Sequence, residues 1–243
     1  MDDTASVALD WLAMPSRVDR IALVAGVMGV GIVVLLAVAI ALDLAAPFDN
    51  AIIGALRDPA LLDMLAPLRA VTELGSTWAI VGVAFVALGV GYVIGPWRHG
   101  LAAALTIALA SLGNTALKAY VARARPDLLE PVVVEHGFSF PSGHSALGMA
   151  GYGVLAVLVE RSRLPRAVRL GINAGLGLLI LLIGLSRIWL GVHYPTDVLA
   201  GWAAGAVVVL LYVTLTRGVS REPAVGAVDA DPAARRSDPP ATR

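Results

Sequence analysis

Six stretches of near-continuous apolar residues mark the chain, at Ile21–Leu42, Trp78–Trp97, Leu101–Leu117, Ser145–Val159, Leu170–Leu185 and Val198–Thr216. About 20 apolar residues carry a helix across the hydrocarbon core of a bilayer. The first, second and sixth stretches qualify outright, and the others do so by extending a turn into their polar flanks. Closely spaced glycines in two of the shorter ones, Gly148, Gly151 and Gly153, then Gly171, Gly175 and Gly177, suit tight helix packing in a membrane. The pattern predicts an all-α, polytopic membrane protein with six transmembrane helices. The apolar core of the first stretch exceeds the roughly 7–15 residues of a signal peptide, so it is expected to remain as a helix. Between it and the second, Ala46–Ser76 sets Ile52, Ile53, Leu56, Leu65 and Leu68 at helical spacing among Arg57, Asp58, Asp63, Arg69 and Glu73. That is the pattern of one or two amphipathic helices lying at the interface. From Gly218 the chain turns to Ala, Pro, Asp and Arg with little that forms a core, and disorder is expected there. The predicted organisation is an N-terminal segment over 1–20, a six-helix membrane domain over 21–217 and a tail over 218–243.

Composition agrees. Hydrophobic residues make up 58% of the 243 and charged residues 15%, with a mean hydropathy of +0.81, outside the usual range of soluble domains. Formal net charge is zero, so bulk charge points to no particular partner, and no nucleic acid is expected; what matters is where the charges lie. The absence of Cys removes disulfides, thiolate nucleophiles and Cys-ligated metals. Six spans put both termini on one side, and twelve of the 18 Lys and Arg residues fall on that side. The short loop ERSRLPRAVR, which joins two spans, contributes most densely. Positive charge collects inside, so both termini are expected in the cytoplasm.

Three polar clusters then emerge together on the outer face, Lys118 to Asp127, Pro141 to His144 and Arg187 to Asp197. In KAYVARARPD, Lys118 and Arg125 are seven residues apart, about two helical turns. A helix continuing out of the membrane would hold both cations on one face until Pro126 stops it. Two such cations suit an anion; a snorkelling Lys beside a solvated basic loop is the plainer alternative. FSFPSGHS sets a Pro and a Gly in a turn directly before a spanning helix, whose free N–H groups and partial positive charge suit phosphate oxygens. Ser142 also fits an ordinary cap, and His144 an interfacial His. In SRIWLGVHYPTD, Pro195 suits the first turn of the last helix and Asp197 its dipole. Asp197, four residues beyond His193, can reach one ring nitrogen, fix the tautomer and leave the other nitrogen as a nucleophile. A structural His–Asp pair at a helix start is the alternative.

KAYVARARP, PSGH and SRIWLGVHYPTD, in this order and with these spacings, resemble the three-part signature of the type 2 phosphatidic acid phosphatase superfamily, in its membrane-bound lipid phosphatase branch. Every signature position is present: Lys118, Arg125 and Pro126; Pro141, Ser142, Gly143 and His144; Ser186, Arg187, His193 and Asp197. The resemblance implies that His193 attacks phosphorus to give a phosphohistidine, that Asp197 orients it, and that His144 protonates the leaving oxygen and then activates water. Lys118, Arg125, Arg187, Ser142 and the Gly143 N–H would hold the non-bridging oxygens. Neither a metal nor another cofactor is expected, and Arg123, Asp127 and His136 are expected at the rim. The substrate implied is a lipid phosphate presented from the bilayer at the extracytoplasmic face of the cell membrane: a polyprenyl pyrophosphate, phosphatidic acid or phosphatidylglycerol phosphate. Two other classes stay open. One is a phosphotransferase that passes the phosphoryl group to a lipid or sugar acceptor; the other is a non-enzymatic protein that only binds lipid phosphates, against which the complete His/His/Asp set counts.

Overall fold

The structure, a computed structural model, describes residues 17–56, 65–94, 97–127 and 135–217. Among these residues the chain forms eight helices and no strand: α1 (Arg17–Ala41), α2 (Ala46–Ala55), α3 (Leu65–Glu73), α4 (Thr77–Ile94), α5 (Trp97–Val121), α6 (Gly143–Arg161), α7 (Arg166–Trp189) and α8 (Pro195–Arg217). Five of them, α1, α4, α5, α7 and α8, are long and apolar enough to cross a membrane. Their outer faces carry the exposed apolar side chains, such as Leu23, Val27 and Leu35 on α1 and Phe85 and Val93 on α4, as helices facing lipid require.

The fourth of the six expected spans, Ser145–Val159, corresponds to α6, which falls outside that set. Its 19 residues open with Gly, His and Ser, and these lower its hydropathy. The reason lies in its position: α6 is the central helix, packed against α4, α5, α7 and α8. Ala146, Ala150, Val154 and Leu158 on it are buried. A helix that meets other helices on most of its sides needs small residues for close approach more than it needs greasy ones. On α8, a Cβ added at Gly205 would stand 2.5 Å from the carbonyl oxygen of Ala146, and one at Gly201 2.7 Å from that of Ser142. The backbones of α6 and α8 therefore touch over these turns, with no room for a side chain between them.

The stretch read as amphipathic contains two short helices, α2 and α3, with 57–64 outside the described residues. Their polar residues do not simply face water. Asp49 on α2 is fully buried and Thr72 on α3 is nearly so, while Phe48 on α2 is exposed. Ile53 packs with Ile188 and Val198, which holds α2 against the ends of α7 and α8. The expected tail over 218–243, and most of the segment over 1–20, lie outside the described residues.

Candidate active site

Three segments at one end of the bundle build a polar chamber: the two ends of the α5–α6 connection and the turn between α7 and α8. The first leaves α5. Lys118 sits in the last turn of that helix, and its Nζ donates to the carbonyl oxygens of Phe138 at 2.6 Å and Ser139 at 3.3 Å. The helix does not continue to Pro126 as the spacing had suggested. It stops at Val121, Ala122 takes a positive φ of 50°, and the chain runs on without helical structure through Asp127. Arg123 and Arg125 both turn toward the third loop, the first to Asp197 and the second to Val192 and His193. Arg125 donates through Nη1 to the carbonyl of Val192 at 2.9 Å, and the same nitrogen lies 3.4 Å from Nε2 of His193. Its Nε and Nη2 donate to the carbonyls of Gly137 and His136.

The second loop leads into α6. Ser142 is the N-cap residue, with an extended backbone and no cap bond from its side chain. Its hydroxyl oxygen instead accepts from Ser145 at 2.9 Å, and its N–H donates to the carbonyl of Asp197 at 3.0 Å, tying the start of α6 to the start of α8. A Cβ at Gly143 would lie 3.2 Å from the amide nitrogen of Asn114 and 3.9 Å from Cε of Lys118, so the first turn of α6 opens toward the lysine. His144 rests against Gly75, whose added Cβ would meet its Cβ and Cδ2 at 3.2 Å. Arg187, Glu135, His193 and Lys118 all lie within its electrostatic reach.

The third loop turns between α7 and α8, with Gly191 at a φ of +73°. The N–H groups of Val192 and His193 both donate to the carbonyl of Arg187 at 3.2 Å. Asp197 is the third residue of α8, and its Oδ2 accepts the N–H of Tyr194, the residue before the helix, at 2.9 Å. This side-chain reach back to the cap N–H is half of a capping box. It fixes a fully buried carboxylate beneath the histidine. Nδ1 of His193 lies 3.4 Å from that same Oδ2 and 3.4 Å from the hydroxyl of Ser139, which itself donates to Oδ2. An ionised carboxylate only accepts, so the ring proton belongs on Nδ1 and the Nε2 lone pair faces Arg125.

Burial, only partly offset by the hydrogen bond and charge of Asp197, pulls the pKa of His193 from 6.5 down to about 4. The ring is therefore neutral at physiological pH, the form a nucleophile needs. Arg187 donates through Nη1 to Thr72 at 2.8 Å and through Nη2 to Glu135, and Arg125 lies 3.7 Å from the other oxygen of that carboxylate. Burial works against ionisation of Glu135, yet the neighbouring guanidinium of Arg187 holds its carboxyl below the usual range. An anionic group thus already bridges two of the three cations expected to hold phosphate.

The structure gathers Lys118, Arg125, Ser142, Gly143, His144, Arg187, His193 and Asp197 around this chamber. Asp127 and His136 are exposed, in keeping with a rim. Arg123 is not at the rim. Its side chain is 12% exposed and bridges two buried carboxylates, Asp197 through Nη1 and Asp49 through Nη2, each at 2.7 Å. Asp49, Glu135, Ser139 and Thr72 escaped the sequence reading. The signal for Asp49 was present: an Asp inside the apolar run of α2, Ala-Pro-Phe-Asp-Asn-Ala-Ile-Ile, demands a buried partner. Glu135 carried no comparable signal.

The sequence pattern of the PAP2 superfamily matches residues 99–221. Phosphatidylglycerophosphatase B of Bacillus subtilis is 33% identical over 158 residues, which cover 64% of this chain and 75% of that protein. Lipid A 1-phosphatase of Rhizobium johnstonii is 33% identical over 110 residues, 42% of this chain and 41% of that protein. The crystal structure of a transmembrane PAP2 type phosphatidylglycerolphosphate phosphatase from Bacillus subtilis superposes with a TM-score of 0.72 at 30% identity, covering 82% of this chain and 98% of that one.

Proposed function

The chain belongs to the PAP2 superfamily, and from that membership we propose that it hydrolyses the phosphate monoester or pyrophosphate of a lipid, at the extracytoplasmic face, through a phosphohistidine on His193. A multi-pass membrane phosphatase of this family meets its substrate where head groups emerge, and the polar chamber caps one end of an apolar bundle. The observation that carries the mechanism is the clamp on His193: Nδ1 against Asp197 and Ser139, Nε2 turned to Arg125.

Nε2 of His193 forms a bond to phosphorus as the bond from phosphorus to the leaving oxygen breaks, and His144, which takes up its second ring proton as the phosphate dianion enters beside it, gives that oxygen its proton. His144 then takes a proton from water, whose oxygen bonds to phosphorus as the N–P bond breaks and inorganic phosphate leaves. Lys118, Arg125 and Arg187, with Ser142 and the N–H of Gly143, stabilise the charge that gathers on the non-bridging oxygens. The incoming phosphate takes the place of the Glu135 carboxylate between Arg187 and Arg125. Asp197 steadies the positive ring of the phosphorylated histidine.

The excess of Lys and Arg at the opposite end of the bundle supports cytoplasmic termini and an outward-facing chamber. In this reading α6 also spans the membrane and brings the count to six; its 19 residues reach about 28 Å at 1.5 Å per residue. The relatives' names favour phosphatidylglycerol phosphate among the substrates, beside phosphatidic acid and polyprenyl pyrophosphate. The test is phosphate release from these lipids by purified full-length protein in the presence of EDTA. Release by the wild type and none by His193→Ala is expected; release that persists in His193→Ala, or that EDTA abolishes and a divalent metal restores, would overturn the mechanism.

A further inference from the structure

Beneath the dyad lies a second layer of buried charge that the signature residues do not include. Asp49 comes from α2, outside the matched family region of residues 99–221, and its carboxylate is fully buried. Its Oδ1 accepts the N–H of Thr196 at 3.0 Å, and its Oδ2 accepts the hydroxyl of Thr196 at 2.7 Å and Nη2 of Arg123 at 2.7 Å. Arg123 in turn donates through Nη1 to Oδ1 of Asp197 at 2.7 Å and to the hydroxyl of Thr196 at 2.8 Å, and its guanidinium stacks on the ring of Tyr194 at 3.8 Å. A planar guanidinium presenting two nitrogens in a fixed fork is suited to joining two carboxylates.

The division of labour at Asp197 follows from these contacts. Arg123 takes Oδ1; Tyr194, Ser139 and His193 share Oδ2. A carboxylate torsion is soft and two-fold, so Asp197 keeps Oδ2 under Nδ1 of His193 because Oδ1 is tied. The tie is itself anchored, since Asp49 and Thr196 hold Arg123 in place. We propose that Asp49 and Arg123 are positioning residues of phosphoryl transfer, acting on His193 through Asp197. They touch neither the phosphate nor the leaving group. They determine which oxygen of Asp197 faces the ring, and Asp49 offsets the charge of Arg123 so that the three groups together stay net negative beneath the phosphorylated histidine. The helix α2 thereby becomes part of the catalytic apparatus, although it contributes nothing to the signature.

This inference rests on the functional reading above, and its test separates the two. Phosphate release from phosphatidic acid in detergent micelles is measured for full-length wild type, Asp49→Asn and Arg123→Lys, with inorganic phosphate as a competitive inhibitor. Both variants should lose about 10- to 100-fold in kcat, the range commanded by outer partners of an orienting group. KM and the inhibition constant of phosphate should stay within about twofold, because Lys118, Arg125 and Arg187 are untouched. In an Asp197→Asn background, adding Asp49→Asn should cost nothing more, since the effect passes through Asp197. A purely structural pair would instead lower activity further in that background. Unchanged kcat in either variant, a rise in KM and phosphate inhibition constant together, or loss of folding in both variants would overturn the proposal. A wild type that releases phosphate from none of phosphatidic acid, phosphatidylglycerol phosphate and polyprenyl pyrophosphate would overturn the functional reading. The positioning role would then be read from the ring nitrogens of His193 by NMR, where the Nδ1–H tautomer should dominate in wild type and be lost in Arg123→Lys; an unaltered tautomer would contradict it.

Discussion

Burial of the His193 ring disfavours its imidazolium form, Asp197 favours it through a hydrogen bond and through its charge, and Arg187 and Lys118 oppose it again; the balance leaves the pKa at about 4. The sign is clear: a depressed histidine pKa keeps the ring neutral across the physiological range and charges it only in acid. Ring-nitrogen NMR of histidine-labelled protein, assigned by difference with His193→Asn, should show a neutral Nδ1–H tautomer from pH 8 to about 5 and protonation near pH 4. Titration near the ordinary 6.5 would mean that the ring is solvated and the dyad open. At this scale the signature residues were legible because each is a polar group at a helix start or end between apolar runs. Arg123 was misread because its direction depends on the backbone after Val121, and helical spacing says nothing once Ala122 breaks the helix. Glu135 was invisible, since its partner Arg187 lies on α7 and Arg125 ten residues upstream in the same connection, and one acidic residue among many carries no periodic signal.

The two helices that carry the dyad and the first turn of the phosphate cradle are registered by glycine. Gly201 and Gly205 bring α8 onto the carbonyls of Ser142 and Ala146, within the turns that aim Asp197 and Gly143. A Val at 205 would meet helix backbone, which cannot step aside as a side chain can, and overpacking of this kind costs about 1–3 kcal/mol. Gly205→Val should therefore lower the thermal unfolding midpoint in detergent and reduce activity. Gly26→Val, where an added Cβ meets nothing within 4 Å, should leave both unchanged, and equal behaviour of the two variants would show that the α6–α8 contact is looser than described. The long helices were legible because lipid-facing surfaces must be apolar without interruption. The centre of the bundle was harder: α6 carries small and polar residues because protein, not lipid, surrounds it. The polarity of α2 and α3 was legible too, but amphipathicity tells which residues are polar and not whether water or a buried arginine meets them.

For the molecule as a whole, the proposal that catalysis faces outward rests on the positive-inside pattern taken together with the position of the chamber. A Cys placed at the exposed Asp127 should react with an impermeant thiol reagent on intact cells, and one at Leu164, in the exposed loop between α6 and α7, should not; the reverse would put the chamber in the cytoplasm. On the proposed mechanism, loss of His144 removes the proton donor, worth typically about 10²–10⁴-fold, together with the base that activates water. A substrate whose leaving group needs no proton, such as an aryl phosphate, should still phosphorylate His193 in His144→Ala, and the intermediate should then persist. The most direct measurement is intact-protein mass spectrometry of wild type, His144→Ala and His193→Ala after exposure to an aryl phosphate. The account predicts one acid-labile phosphate accumulating on His144→Ala, mapped to His193 and absent from His193→Ala. No trapped phosphate in His144→Ala, with both variants equally inert toward the aryl ester, would contradict it.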